Sequence, residues 1–229
     1  MKKTIHIFTI LTLYTNIVVS QCVVKESKLI STLFYDEFET FDNTEWDIDN
    51  LCHSNIKYDQ NQVSINNGKL VLSVTKSQFE NSCGSVWSGG SITSKYYYPR
   101  ATNQYPLNYM IFEAKVKMPI GIDVFPAFWL FSSCNEVDIF EYHDNNGNKH
   151  FTNTVHQFLN NNGCPENRPT CYRSWEKDDL DTKFHTYSVA WRVKENNLDK
   201  VDVTFFFDGK ELWTQNEMQL EENIGLKIK

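Results

Sequence analysis

Val63-Ser64-Ile65-Asn66-Asn67-Gly68-Lys69-Leu70-Val71-Leu72-Ser73-Val74 decides the fold class. Val63 and Ile65 alternate with polar residues, and Leu70, Leu72 and Val74 alternate again after Asn67-Gly68. Residues two apart on a strand share a face, so each half reads as a strand with one apolar side. Asn-Gly accepts the positive φ values of a tight two-residue turn, which makes the stretch a hairpin. The same grammar recurs. Phe112, Ala114, Val116 and Met118 alternate with Ile111, Glu113, Lys115 and Lys117, and Tyr187, Val189, Trp191 and Val193 repeat it. Asp208-Gly209 separates residues 203–207 from 210–213, and Asn145-Asn146-Gly147-Asn148 separates 136–142 from 151–159. After the N-terminal leader, no window carries a helical stripe longer than about three turns. Many short strands joined by turn residues predict an all-β protein, a jelly-roll sandwich of two antiparallel sheets.

The chain of 229 residues is 41% hydrophobic and 14% aromatic, enough for one sizeable core with aromatics left over for a binding cleft. A net charge of -7 and a pI near 5.4 exclude a nucleic-acid backbone as the natural partner. A neutral polymer suits an acidic, aromatic-rich chain better. Lys2-Lys3 followed by a mostly apolar stretch from Ile5 to Val19, with small residues at Val18-Val19-Ser20, reads as a secretory signal over residues 1–20. That stretch is too short and too interrupted for a spanning helix. Residues 21–229 then form one secreted domain, expected to be monomeric and off the membrane. A lipid anchor at Cys22 is disfavoured by Gln21 before it. Export permits disulfides, and the six cysteines allow 15 full pairings. Cys164 with Cys171 is the first local choice and Cys52 with Cys83 the second. No CxxC, HExxH or clustered histidines predict a metal site, and no Gly-x-Ser-x-Gly elbow predicts a serine hydrolase.

The chemistry is concentrated in Asn135-Glu136-Val137-Asp138-Ile139-Phe140-Glu141. Glu136 and Asp138 share a strand face, whereas simple alternation would turn Glu141 away. One extra residue, a bulge around Ile139-Phe140 with Phe140 as the insertion, would return Glu141 to its partners. Clustered carboxylates raise one another's pKa, so a strand that merely faced water would scatter them. Two carboxyl groups of unequal pKa are what glycosidic bond cleavage requires. Upstream, Pro126-Ala127-Phe128-Trp129-Leu130-Phe131 is close enough in sequence to form the neighbouring antiparallel strand. That would place Trp129, or its alternating neighbours, near the acids, where a flat indole offers a platform for a pyranose ring.

Glu136-Val137-Asp138-Ile139-Phe140-Glu141 resembles the bulged E-x-D-x-x-E signature of glycoside hydrolase family 16, of the laminarinase or endo-β-1,3-glucanase type. Asp36-Glu37-Phe38 with Trp46 is similar to the family's opening strand, and residues 88–95 to its S-G-x-I-x-S-K segment. Glu113, Lys117 and Pro119 match G-x-x-E-x-x-x-K-x-P. Pro126 to Leu130 matches P-A-F-W-L, Thr154-Val155-His156 the later cleft strand, and Phe184-His185-Thr186-Tyr187 with Asp208-Gly209 the closing elements.

The resemblance implies a concanavalin A-like fold and a retaining endo-glycosidase acting on a polysaccharide, with β-1,3- or mixed β-glucan favoured. It implies Glu136 as nucleophile, Asp138 as helper and Glu141 as acid/base. Trp129, His156, Trp87, Tyr142 and Trp175 are the candidate sugar contacts. A transglycosylase sharing the covalent intermediate, and a non-catalytic carbohydrate-binding protein on the same sandwich, are the rival readings. No cofactor is required by this chemistry, and the structural calcium of many members is doubtful here. Phe125 stands where the family often has Trp. The family usually continues past the D-G hairpin into another strand, so an end at Lys229 predicts either a truncated sandwich or a different closure.

Overall fold

The computed structural model describes residues 34–53, 56–95, 109–119, 121, 124–131, 135–157, 171–219 and 227–229. Residues 1–20, expected to be a signal, and Cys22, Cys134 and Cys164 lie outside the described residues. In chain order the strands are β1 (Trp46–Ile48), β2 (Cys52–His53), β3 (Ile56–Tyr58), β4 (Val63–Ile65), β5 (Leu70–Leu72), β6 (Val74–Lys76), β7 (Trp87–Gly89) and β8 (Ile92–Ser94). There follow β9 (Tyr109–Val116), β10 (Ala127–Phe131), β11 (Asn135–Asn145), β12 (Asn148–Gln157), β13 (Cys171–Glu176), β14 (His185–Lys194), β15 (Asn197–Phe207), β16 (Lys210–Gln219) and β17 (Lys227–Ile228).

The all-β expectation holds, and so do its hairpins. Asn67 and Gly68 have φ of 50° and 66°, and Asp208 and Gly209 repeat the pattern at 47° and 73°. These two turns join β4 to β5 and β15 to β16, with registers Ile65↔Leu70 and Phe207↔Lys210. Positive φ at both central residues matches the twist of the strands they connect.

Two large sheets carry the sandwich. One has the order β13-β12-β11-β10-β17 and the other β16-β15-β14-β9. Alternation assigns one face of each to the core. From the first sheet come Leu130, Val137, Ile139 and Phe151, and from the second Phe112, Tyr187, Val189, Val203 and Phe205, all at most 1% exposed. Aromatic contacts stitch the layers, with ring centroids 4.5 Å apart for Phe140–Tyr187 and 5.2 Å for both Phe151–Tyr187 and Phe151–Phe207. Burying each such side chain contributes about 1.5–3 kcal/mol, and the aromatic geometry adds up to ~1 kcal/mol per pair.

The chain does continue past the Asp208-Gly209 hairpin, into β17, which pairs antiparallel with β10 through Leu130↔Ile228. Trp129 and Lys229 exchange both backbone hydrogen bonds at 2.9 Å. The Ile228 amide donates to Ser94 Oγ at 2.9 Å, tying β17 to β8. At the other end of the sequence, buried Asp36 accepts from the Trp46 indole N–H at 3.0 Å and from the Phe38 amide at 2.7 Å. Those bonds explain why an Asp and a later Trp open the domain together. Cys52 and Cys83 form a disulfide, as the weaker of the two expected pairs.

Candidate active site

Strand β11 is the centre of the five-stranded sheet, and its register shows how the acids come together. Against β12, Asp138 faces Thr154 and Glu141 faces Thr152, so two residues, Ile139 and Phe140, oppose Asn153 alone. Against β10, Phe128 faces Phe140 and Trp129 faces Asp138, which leaves Ile139 unmatched. The bulge is where the sequence placed it, but the inserted residue is Ile139 and not Phe140. Ile139 and Phe140 are both buried in the core, at 1% and 2% exposure. With two successive side chains sent inward, the next one, Glu141, returns to the open face with Glu136 and Asp138.

His156 completes the group from β12. Its Nε2 lies 3.2 Å from Asp138 Oδ2 and 3.8 Å from Glu136 Oε1. Asp138 holds the imidazole above its ordinary pKa, against the opposing effect of burial. The two neighbouring acids thus favour the imidazolium form. Glu141 is held by Thr152 and Thr154, whose hydroxyls donate to its Oε2 at 3.3 and 3.2 Å.

The electrostatics follow from crowding in a partly dry place. Burial pushes the Glu136 carboxyl up to about 7; the Asp138 charge adds to this, His156 opposes it, and Glu141 adds a little more. Asp138 is raised by burial, with His156 pulling it back. Glu141 is raised by burial and then by Asp138, while the two threonines and His156 pull it down. Burial thus raises all three carboxyls, and their titration belongs to the set. The ligand-type atoms of Glu136, Asp138 and His156 lie within 4.8 Å of one another, a spacing at which such groups can also hold metal ions. Here the imidazole is already paired with both carboxylates, an arrangement suited to moving protons.

Trp129 lies on the same face, opposite Asp138 and half-buried. Its ring is 4.9 Å from Phe131 and 5.5 Å from the Lys229 ammonium, which also sits 5.0 Å from the Tyr58 ring and 3.3 Å from Asp49 Oδ2. Further along the face, His143 stacks on His150 at 4.9 Å and meets the exposed Phe125 edge-on at 4.8 Å. Burial and the neighbouring His150 lower the His143 pKa. Phe125 therefore keeps an aromatic surface where a Trp would have stood.

Two of the expected sugar contacts are corrected. Tyr142 is fully buried, because the residue after Glu141 must point to the core. Trp175 packs against the core, and its indole N–H donates to buried Asn153 at 2.7 Å. Trp87 lies on β7, with the Lys76 ammonium 5.0 Å from its ring, and no described contact links it to the acids. Thr152 and His150 were not singled out in the sequence, and Thr154 entered only within a matched segment, although all three share strand parity with His156.

Residues 50–224 match the family described as glycosyl hydrolases family 16. No curated protein matches the chain. Among solved structures, the endo-beta-1,3-glucanase from Pyrococcus furiosus is similar with a TM-score of 0.64 at 16% identity, covering 84% of this chain and 80% of that one. Porphyranase B from Zobellia galactanivorans gives 0.63 at 19% identity, over 84% of this chain and 76% of its own. An endo-1,3-beta-glucanase from Streptomyces sioyaensis gives 0.63 at 18%, over 86% and 82%. At these identities the likeness is one of fold.

Proposed function

This chain belongs to glycosyl hydrolase family 16, and from that premise we propose that it is a retaining endo-glycosidase that cuts internal β-linkages of a polysaccharide. The observation that carries the reading is the bulge-returned Glu141, on one face with Glu136, Asp138 and His156. In the first step a Glu136 oxygen bonds to the anomeric carbon while Glu141 gives its proton to the glycosidic oxygen, and the leaving sugar departs. In the second, Glu141, now a carboxylate, takes a proton from water, whose oxygen displaces Glu136 and frees the retained sugar. The threonine bonds to Glu141 Oε2 leave Oε1 to carry the travelling proton. Asp138 and His156 adjust the charge on Glu136 between the two steps.

A β-1,3- or mixed β-glucan is the favoured substrate, supported by the glucanases among the fold neighbours and by the bulged motif. The Cys52–Cys83 disulfide supports a secreted protein, and we read residues 21–229 as one monomeric domain. The test is incubation with laminarin, lichenan, agar and porphyran, with product sizing and NMR of the first-formed anomer. Shortening of a β-glucan with β-anomer released first is expected. First release of the α-anomer would sink the retaining mechanism, and cleavage of a galactan alone would overturn the substrate. Added acceptor oligosaccharide separates water from sugar as the second acceptor.

A further inference from the structure

The bulge leaves Ile139 outside the register of both neighbouring strands, so the regular ladder is interrupted at its carbonyl. A buried carbonyl left unpaired is costly, about 1–3 kcal/mol. Asn153, 1% exposed and directly opposite, meets the need. Its Nδ2 donates to the Ile139 carbonyl at 2.6 Å. Its Oδ1 accepts from the Trp175 indole on β13 at 2.7 Å and from the Trp213 indole at 3.3 Å. Trp213 lies on β16, in the opposite sheet. A carbonyl can only accept and an indole N–H can only donate, so the amide has one permitted orientation.

The neighbours of Asn153 point the other way. Thr152 and Thr154 reach the open face and bind the Glu141 carboxylate. One tripeptide therefore grips the bulge from inside the sandwich and the acid/base carboxylate from outside. We propose that Asn153 is a positioning residue for the reaction: by fixing the Ile139 carbonyl it holds the bulge that presents Glu141 to the glycosidic oxygen. It acts on the proton-donating step and leaves nucleophilic attack by Glu136 in place. This rests on the acid/base reading of Glu141.

The test compares laminarin, whose leaving sugar needs a proton, with 2,4-dinitrophenyl β-laminaribioside, whose leaving group does not. Asn153→Ala is expected to lower kcat on laminarin by about tenfold to a hundredfold with KM little changed, a fraction of what general acid catalysis supplies. The dinitrophenyl substrate should lose less than about threefold, and azide should accelerate its turnover, as the acid/base reading also predicts for Glu141→Ala. Equal losses on both substrates, or none, would overturn the proposal. A Trp175→Phe, Trp213→Phe double variant keeps an aromatic ring at both positions and removes the N–H groups that orient the amide. Should Asn153→Ala fail to fold, the same substrate split in the double variant supports the proposal and its absence overturns it. Glu141→Ala is the control. If it lacks the split, the acid/base reading itself fails; if it shows the split and the Asn153 variants do not, only the role of Asn153 falls.

Discussion

Two glutamates, one in each sheet, have carboxyls pushed up to about 7: Glu136 on β11 and Glu113 on β9. They arrive there differently. Glu113 is 2% exposed, on the side of the four-stranded sheet away from the core, and burial alone raises it while the facing Ser188 pulls it back. Glu136 is part-open to solvent and is raised by burial together with two neighbouring acids, against a histidine. A perturbed carboxyl is thus no mark of chemistry by itself. What distinguishes Glu136 is company: a second carboxylate brought round by a bulge, a titrating imidazole and an open approach.

The comparison breaks first on turnover. Glu136→Gln should cost roughly 10⁴-fold or more in kcat on a responsive polysaccharide, on the scale of losing a covalent nucleophile. Glu113→Gln should stay within about twofold, since it touches none of the reacting groups. Reducing-end release measures both, and near-normal activity in the first variant would refute its role. Next comes Asp138→Asn. Removing a negative charge beside Glu136 lowers the Glu136 pKa, so the acidic limb of kcat/KM should move to lower pH, with a loss of about tenfold at the optimum. His156→Gln removes a group that favours the ionised Glu136, so its acidic limb should move to higher pH. A pH–rate series that left both limbs in place would dissolve the cluster as a unit.

The smallest effect is the one the two glutamates share. Each has a folded-state pKa near 7, above the 4.5 of an ordinary glutamate. The folded state therefore binds protons more readily than the unfolded one between those values. Stability from this source is complete below the lower value and is lost as pH rises through about 7. Replacing either residue by Gln should raise stability at pH 8 by on the order of 2–3 kcal/mol and change little at pH 4. Denaturant titration at the two pH values checks this. A gain at pH 4 as large as at pH 8 would remove the electrostatic explanation.

Much of this was legible in the sequence because strand parity is a local rule. The hairpin turns, the core faces of β9 and β14, and the shared face of Glu136 and Asp138 all follow from turn residues and counting by twos. Tyr142 could have been excluded on the same count once Glu141 was set on the open face. Other features depend on pairing between distant segments, which no single strand displays. Whether Ile139 or Phe140 is the inserted residue is fixed only by the registers with β10 and β12. The inward aim of Trp175 follows from its place opposite Phe151. Asn153 carries no signal in the sequence; its value lies in the bulge that the pairing of β11 and β12 sets across from it.

Among the described residues, the grip on Glu141 comes from strand residues: Thr152, Thr154 and Asn153 on β12, with the tryptophans of β13 and β16 behind. A scaffold organised this way separates what is cut from how it is cut. Rim segments can be lengthened, exchanged or recombined between relatives without retuning the bond-breaking machinery. For engineering, this makes loop grafting onto an untouched β11–β12–β13 unit the rational route to new glycan preferences.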